Sequence, residues 1–409
     1  MKRFKLLILI FLCPLSLMAG HRILSPQIKS LQAVVNQDFM SPPVLRMGTD
    51  DVLHIAFDEL SHDYHRYTYI LERCEADWTA AQDIFESDWL AGFNAIVIDD
   101  HEPSINTIIP YTHYQLQIPN DQCRLKMSGN YRLYIVDDEQ QEQLACVEFM
   151  VTEQNMSLFM EASTNTDVDL NTSHQQLDIT LNYGNLVVTN PQEQIRMVVR
   201  QNDRDDNCRR DVPPTFIHNN GLRWQHCRPL IFEAGNEYRK YEVLDPSHPT
   251  MGIDYIHWDG EQYQVFPFIS EPRPHYIYDE DSDGAFYIRN SDNVENDLAS
   301  EYVWVNYRLK SPTLSSGHIV IQGQWTTEAP ETYKMTYDAA TQLYTASILQ
   351  KQGYYSYQYL WQDQDGQQQF LPSEGNFYQT ENRYQAYIYY KGTEDRTWRL
   401  VSYRQLIFK

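Results

Sequence analysis

Apolar and aromatic residues in this chain recur in short runs separated by glycine, proline, asparagine and aspartate, and no run keeps a helical period over several turns. Residues 67–74 and 177–181 are rich in β-branched and aromatic residues, as is typical of strands. Residues 129–136 and 144–151 are two such runs joined by a polar turn, which predicts a hairpin. The pattern predicts an all-β protein made of tandem immunoglobulin-like or early-set β-sandwich domains.

The turn-rich stretches between these runs suggest where the domains begin and end. We predict a signal peptide at residues 1–19, an N-terminal β-sandwich at 20–152, a middle β-sandwich at 153–298 and a C-terminal early-set-like β-sandwich at 299–409. The N-terminal domain then closes on the hairpin described above, as immunoglobulin-like sandwiches do.

The N-terminus has the pattern of a secretory signal peptide. Three basic residues precede an apolar run at residues 6–17, and small residues follow at the predicted cleavage point after Ala19. The run is shorter than the roughly 20 residues that span a bilayer. Cys13 lacks the small preceding residue that lipid attachment requires. We therefore predict an exported, soluble, periplasmic protein.

Charge narrows the range of partners. The formal net charge is −24, and removal of the signal peptide, which carries three basic residues and no acid, changes it to −27. Such a chain repels phosphate backbones and anionic lipid headgroups, which argues against binding to nucleic acid or to a membrane surface. We predict no nucleic-acid partner and no direct membrane insertion.

The most distinctive stretch is an acidic, aromatic segment carried between two predicted strands. Loops on rigid scaffolds often carry function, and large aromatic residues often anchor interfaces. We predict that this segment contacts a protein partner. Its candidate binding residues are Trp78, Trp89, Phe93, Tyr111, His113 and Tyr114.

One acidic turn could in principle bind calcium. Asp279, Asp281 and Asp283 alternate and precede Gly284, as at the start of a calcium loop. The twelfth position, which should be a bidentate acid, is Asn290, and the flanks read as strands. A solvated acidic hairpin turn is the better interpretation, and we predict no metal and no cofactor.

Five cysteines follow the signal peptide: Cys74, Cys123, Cys146, Cys208 and Cys227. The odd number leaves at least one thiol unpaired. Cys208 and Cys227 flank a turn region and could form a disulfide, or all five could be reduced, small buried residues. No pair has the spacing of a zinc site.

No catalytic signature is present: the chain lacks a Gly-Xaa-Ser-Xaa-Gly elbow, a His-Glu-Xaa-Xaa-His motif and a cysteine–histidine pattern. We therefore predict that the protein is not an enzyme. The tyrosine-rich strands of the C-terminal region suggest an alternative, because exposed aromatic rings of an early-set-like domain could stack on sugars. That alternative is an exported glycan-binding accessory protein.

Several motifs, spread in order over most of the chain, resemble one family, the plug protein of the type IX secretion system of Bacteroidetes. They are CEADW at 74–78, GF at 92–93, SINT at 104–107, YTHY at 111–114, EAGNEYR at 233–239, KQGYY at 351–355, EGNF at 374–377 and TEN at 380–382. The resemblance implies a non-enzymatic periplasmic protein that docks on the outer-membrane translocon barrel and seals its periplasmic opening. It would then be associated with the outer membrane only through that barrel.

Overall fold

The computed structural model describes residues 20–409, so the predicted signal peptide lies outside the described residues. Within that range the chain forms 31 β-strands and only short helical turns. The prediction of an all-β fold is confirmed. The α-helical turns are α1 (Glu86–Trp89), α2 (Pro191–Gln194) and α3 (Asn296–Ala299), and the 3-10 turns are Arg228–Leu230, Pro330–Tyr333 and Pro372–Glu374. No helix of the described part of the chain is long and apolar enough to cross a bilayer.

The N-terminal domain packs two sheets face to face. Its strands are β1 (Arg22–Ile23), β2 (Ile28–Val35), β3 (Val44–Arg46), β4 (Leu53–Glu59), β5 (Tyr67–Cys74), β6 (Leu90–Gly92), β7 (Ile96–Val97), β8 (His101–Pro103), β9 (Thr112–Ile118), β10 (Cys123–Leu125), β11 (Gly129–Asp137) and β12 (Gln143–Thr152). One sheet has the order β1-β12-β11-β5-β7 and the other β2-β4-β9-β8. Alternate residues of both sheets, such as Phe57 and Leu133, are fully buried between them.

The middle domain begins with seven strands: β13 (Ser157–Ser163), β14 (His174–Asn182), β15 (Ile195–Gln201), β16 (Arg209–Arg210), β17 (Phe216–His218), β18 (Gly221–Trp224) and β19 (Ile231–Glu233). Its first sheet has the order β13-β14-β18-β17, with β19 also on β14. Trp224 lies at the centre of its core, 1 % exposed, and donates its indole N–H to the carbonyl of Val212 at 2.7 Å.

The strands of the C-terminal domain form one connected, ten-stranded sheet. Its strands are β20 (Arg239–Val243), β21 (Ile253–Trp258), β22 (Tyr263–Pro267), β23 (Phe286–Ile288), β24 (Tyr302–Leu309), β25 (His318–Gln322), β26 (Lys334–Asp338), β27 (Leu343–Lys351), β28 (Gly353–Gln362) and β29 (Gln368–Phe370). The main path runs β20-β28-β25-β26-β27-β24-β22-β21. Buried tyrosines fill its interior, with Tyr241 contacting Tyr307, Tyr355 and Tyr357.

The predicted domain boundaries after residue 152 need correction. The last two strands, β30 (Asn382–Tyr390) and β31 (Arg399–Phe408), return to the middle domain, whose second sheet has the order β16-β15-β30-β31. Conversely β20, β21, β22 and β23, which precede residue 299, belong to the C-terminal sheet. The C-terminal domain is therefore an insertion in the middle domain. Pairing between β15 and β30 joins residues far apart in the chain, and local hydrophobic patterning carries no signal for such pairing.

The five cysteines within residues 20–409 are all free thiols, so the possible Cys208–Cys227 disulfide is not formed. Four of them are buried and Cys208 is partly exposed. We expect protein that begins at Gly20 to show five reactive thiols after denaturation in guanidinium. We also expect its melting temperature to be unchanged by reductant, because no cross-link constrains the unfolded chain. Thiol titration with Ellman's reagent and a melting curve with and without dithiothreitol test this; fewer than five thiols would contradict it.

Candidate functional site

The structure buries five of the six side chains that the sequence suggested for partner binding. Trp78 and Trp89 are 4 % and 5 % exposed, and His113 is 8 % exposed. Tyr111 and Tyr114 are completely inaccessible. These five residues therefore cannot act as exposed anchors, and the prediction is wrong for them. Phe93, at 70 % exposed, is open to solvent as predicted.

Trp78 packs in the interface between the N-terminal and middle domains. Its apolar cluster joins Cys74 and Met150 of the first domain to Tyr389 and Leu400 of the second. Polar contacts cross the same boundary. The buried Arg73 guanidinium donates to the carbonyls of Ser128 at 2.6 Å and Trp398 at 2.5 Å, and Tyr389 donates to Asn130 Oδ1 at 2.8 Å.

Tyr111 and His113 belong to a buried charge cluster between the N-terminal and C-terminal domains. At its centre Asp58 of β4 forms an ion pair with Lys351 of β27, with 2.6 Å between Oδ2 and Nζ. Both side chains are 1 % exposed. His113 Nδ1 lies 2.7 Å from Asp58 Oδ1, and the Lys351 ammonium lies 4.1 Å from the centre of the Tyr111 ring.

Hydrogen bonds complete this cluster, which we call the Asp58 junction. Tyr302 of β24 donates to Asp58 Oδ2 at 2.6 Å, and Lys351 also donates to the carbonyl of Asp297 at 2.6 Å. Burial by itself would raise the pKa of Asp58, but Lys351 and His113 outweigh it and hold that pKa below its ordinary value. Asp58 is therefore ionised at neutral pH, and a charged junction fixes the two domains together.

Trp89 and Tyr114 are core residues of the N-terminal domain. Trp89 packs edge-on against Tyr131 with 5.8 Å between ring centres, and Tyr114 stacks on Phe57 at 5.2 Å. The segment that the sequence suggested for partner binding thus buries both of its tryptophans, Trp78 and Trp89.

Two phenylalanines are exposed where this segment turns. Phe85 precedes α1 and is 72 % exposed, and Phe93 follows β6 at 70 % exposed. Acidic residues, namely Asp83, Glu86 and Asp88, lie along the same turn. We call residues 83–93 the Phe85–Phe93 loop. Sequence reasoning selected Phe93 and missed Phe85, although an isolated phenylalanine among acidic residues was a readable signal.

The backbone of the Phe85–Phe93 loop is held firmly. Asp88 accepts a hydrogen bond from the backbone N–H of Phe85 at 3.0 Å. Asn94 bonds both backbone groups of Leu71 on β5, at 2.8 and 2.9 Å. Gly92 has a φ of +111°, and any Cβ there would lie 1.9 Å from the carbonyl oxygen of Gln122. The loop therefore presents its two aromatic rings on a fixed support, which lowers the entropic cost of binding.

The three acids of the possible calcium loop are engaged by other groups. Asp279 pairs with Lys240 at 2.6 Å, and Asp281 accepts the backbone N–H of Asp283 at 2.6 Å. Asp283 pairs with Arg383 of β30 at 2.8 Å, and burial raises the pKa of Asp283 to about 6 in spite of this arginine. Within residues 20–409 no group of three or more His, Cys, Asp or Glu side chains could hold a metal ion.

Calcium in the millimolar range is therefore expected to leave the melting temperature unchanged. A ligand that binds only the native state must stabilise it, so a saturable rise in melting temperature with calcium, absent with magnesium, would contradict this interpretation. Differential scanning fluorimetry over a calcium titration, starting from protein treated with chelator, is the measurement.

Arg383 also links all three domains. Besides Asp283 of the C-terminal domain, its guanidinium donates to the carbonyl of Met40 in the N-terminal domain, while the residue itself lies on β30 of the middle domain. Together with the Asp58 junction and the Trp78 interface, this contact makes the three sandwiches one interlocked body.

Residues 28–153 match the model of the type 9 secretion system plug protein 1st domain. That range covers β2 to β12 of the N-terminal sandwich and the whole Phe85–Phe93 loop. The chain belongs to the type 9 secretion system plug protein family.

A solved structure resembles the whole plug chain. It is the 2.30 Å crystal structure of a hypothetical protein from Parabacteroides merdae ATCC 43184, with a TM-score of 0.92 and 35 % sequence identity over 95 % of this chain and 99 % of that one. A C-terminal domain of the Streptococcus pyogenes antigen I/II-family protein AspA aligns over 93 % of this chain and 99 % of that one at 8 % identity, but its TM-score of 0.16 supports no structural comparison. No protein of curated function matches the chain.

Two of the motifs that carry the family resemblance bind each other. Gly235 donates its N–H to Asn376 Oδ1 at 2.8 Å, and Asn236 Nδ2 donates to the carbonyl of Glu374 at 2.7 Å. The guanidinium of Arg239 makes two hydrogen bonds to the Glu374 carboxylate, at 2.9 and 2.8 Å. These motifs fasten the connection between the middle and C-terminal domains of the plug.

Proposed function

We propose that this protein is a non-enzymatic periplasmic plug that docks on the outer-membrane barrel of the type IX translocon and seals its periplasmic opening. The observation that carries the proposal is the position of the Phe85–Phe93 loop, which lies within the segment that matches the plug family model. The barrel is then the partner, and the plug reaches the outer membrane only through it.

Rigidity supports the sealing role. A stopper must keep its shape against a wide opening, and flexible hinges between domains would defeat that purpose. Here each pair of domains shares buried polar contacts: Arg73 with Trp398, Asp58 with Lys351, and Arg383 with Asp283. These contacts favour one fixed arrangement of the three sandwiches.

The Phe85–Phe93 loop supplies suitable anchors. Large aromatic side chains contribute most of the binding energy in many interfaces when they fill pockets at the centre. The acidic residues beside them would steer the plug to a basic rim and would disfavour other surfaces. The net charge of −27 that remains without the predicted signal peptide extends the same preference to the whole molecule.

The glycan-binding alternative loses its original support. It depended on exposed tyrosines in the C-terminal strands, but Tyr302, Tyr307, Tyr355, Tyr357 and Tyr359 are all buried. These rings build the core of the domain and are not available to stack on sugars.

The test of the proposal is outer-membrane permeability. A strain that lacks the gene should admit large antibiotics that the parent excludes, and expression of the intact gene should restore exclusion. Immunoblotting must show that the barrel is present in equal amount in each strain. If the deletion strain stays as tight as the parent while the barrel is present and free of this protein, the proposal fails.

A further inference from the structure

A second exposed apolar surface lies in a different domain from the Phe85–Phe93 loop, on the hairpin of β21 and β22. Tyr255 and Trp258 of β21 are 43 % and 44 % exposed, and the chain that follows β22 exposes Phe268 at 60 %. Tyr255 stacks on Phe266 with 4.4 Å between ring centres, and Trp258 packs on Tyr263 at 4.9 Å. The rings therefore brace one another in a fixed arrangement.

β21 is the last strand of its sheet. It pairs with β22 on one side, and no strand of the described chain pairs with its other side. β20 lies close to the start of β21, and just before β21 begins the N–H of Glu242 donates to the carbonyl of Met251 at 2.9 Å. The N–H of Ile253 donates to the carbonyl of Thr250 at 3.1 Å, and beyond it the outward backbone groups of β21 make no backbone hydrogen bond within the described residues.

The outer edge of β21 lacks most of the features that usually prevent an edge strand from pairing with another chain. Natural edges carry lysine or proline, or are very short. The six residues of β21 are Ile-Asp-Tyr-Ile-His-Trp, with no lysine and no proline, although a bulge lies between Ile253 and Tyr255. An exposed edge with large apolar side chains and neither lysine nor proline favours pairing with another strand.

The acidic side chains around the β21 edge favour a basic partner strand over an acidic one. Residues 251–269 contain Asp254, Asp259 and Glu261 and neither lysine nor arginine. Asp254 is paired with Arg308 at 2.9 Å, whereas Asp259 and Glu261 are at the exposed tip of the hairpin. Two copies of this chain would bring like charges together along the edge, which is unfavourable.

A sugar is a poorer fit than a strand. Sugar rings stack on open aromatic faces, whereas Tyr255 and Phe266 each use one face on the other, and the Arg308 guanidinium lies 5.5 Å from both ring centres. An extended peptide instead uses the free backbone groups together with the outward side chains.

We propose that the outer edge of β21 binds an extended peptide segment of a partner protein, with alternating apolar and basic residues, by addition as a further strand of the C-terminal sheet. Backbone hydrogen bonds would supply affinity, and Tyr255, Trp258 and the acidic hairpin tip would select the side chains. This proposal does not depend on the docking of the Phe85–Phe93 loop.

The test begins with selection of random 12-residue peptides by phage display on the protein from Gly20 to Lys409. The selected sequences should be rich in lysine or arginine alternating with apolar residues. A fluorescent synthetic peptide of the consensus sequence is then titrated by anisotropy. The double variant Tyr255→Lys/Trp258→Lys should weaken its binding at least about tenfold, because it removes both anchors and adds repulsive charge.

The matched control is the double variant Phe216→Lys/Ile217→Lys, which places two lysines on β17, an edge strand of the middle domain where these side chains are 51 % and 53 % exposed. It should bind the peptide like the parent. Melting curves verify that each variant is folded. Hydrogen exchange gives a second measurement that needs no variant: peptide should slow the exchange of outward amides in β21, and a peptide with N-methylated alternate residues should not bind.

Several outcomes would overturn the proposal. No enriched peptide, equal binding to the double variant, or unchanged exchange in β21 each rules out strand addition at this edge. Sedimentation that shows a dimer of the parent, lost in the double variant, would make a second copy the occupant. Loss of peptide binding by competition with soluble oligosaccharides, together with direct binding of those sugars, would make the site a sugar site.

Discussion

Replacement of Lys351 by methionine is expected to lower the free energy of unfolding by about 3–5 kcal/mol, the usual effect of removing one partner of a buried ion pair. Methionine fills a similar volume but leaves the Asp58 carboxylate without its cation in a site where both side chains were 1 % exposed. His113 and Tyr302 still contact Asp58, but neither replaces the ammonium group of Lys351. Chemical denaturation followed by tryptophan fluorescence measures the loss.

The control is Lys310→Met, which breaks an ion pair with Glu271 whose side chains are both 60 % exposed. We expect it to change stability by less than about 1 kcal/mol, since exposed pairs contribute little. The double variant Asp58→Asn/Lys351→Met should recover part of the loss, because no charge remains unpaired. Equal effects of Lys351→Met and Lys310→Met would show that the Asp58 junction does not stabilise the fold.

Acid should weaken the same junction. The pKa of Asp58 is lowered in the folded protein, so its contribution to stability is full above the pKa of Asp58 in the unfolded chain. That contribution is lost as the pH falls through the lower folded pKa, when protonated Asp58 no longer balances Lys351. The double variant should therefore lose less stability than the parent between pH 4 and pH 2, a range we choose because it starts near the ordinary aspartate pKa of about 3.9. Unfolding curves at matched ionic strength compare the two proteins.

Sequence patterning captured the strands better than their assembly. The hairpin of β11 and β12 and the strands β5 and β14 lie where β-branched and aromatic runs predicted them. The return of β30 to the middle domain was not predicted. That strand is buried on both faces: Tyr384 lies in the middle core, and Tyr387 faces the interface with the N-terminal domain. The sequence of β30 mixes aromatic residues with Asn, Arg and Gln, and this local pattern does not identify the sheet that the strand joins.

The exposure of the candidate binding residues was also hard to predict, because it too depends on contacts that local patterning does not show. Trp78 and Trp89 lie in turns, where no period of two distinguishes inward from outward side chains. Trp78 even adopts a left-handed backbone, with φ of +66°, as its side chain enters the interface with the middle domain. Tyr111 and His113 lie at the start of β9, where a second domain covers what would otherwise be a surface. Whether such side chains are buried or exposed depends on contacts between domains, which join residues far apart in the sequence.

The variant Phe85→Ala/Phe93→Ala should weaken docking on the translocon barrel strongly, by roughly 2 kcal/mol or more if each ring occupies a pocket at the centre of the interface. That corresponds to at least about a thirtyfold rise in Kd. Its melting temperature should match that of the parent, because rings that are 72 % and 70 % exposed contribute little to the core. Surface-immobilised plug titrated with detergent-purified barrel gives the affinity.

Trp89→Ala changes a buried ring of the same loop, and we expect it to reduce the stability of the fold. Loss of this buried ring from its contact with Tyr131 should destabilise the N-terminal domain by about 3–5 kcal/mol. Phe159→Ala removes a similarly exposed ring, 65 % exposed, from β13 of the middle domain. It should change neither the affinity for the barrel nor the melting temperature. If the Phe85/Phe93 variant binds the barrel as tightly as the parent while its fold is intact, the plug contacts the barrel through another surface. If instead it melts like Trp89→Ala, the two rings are structural, and the loop cannot be treated as an independent binding element.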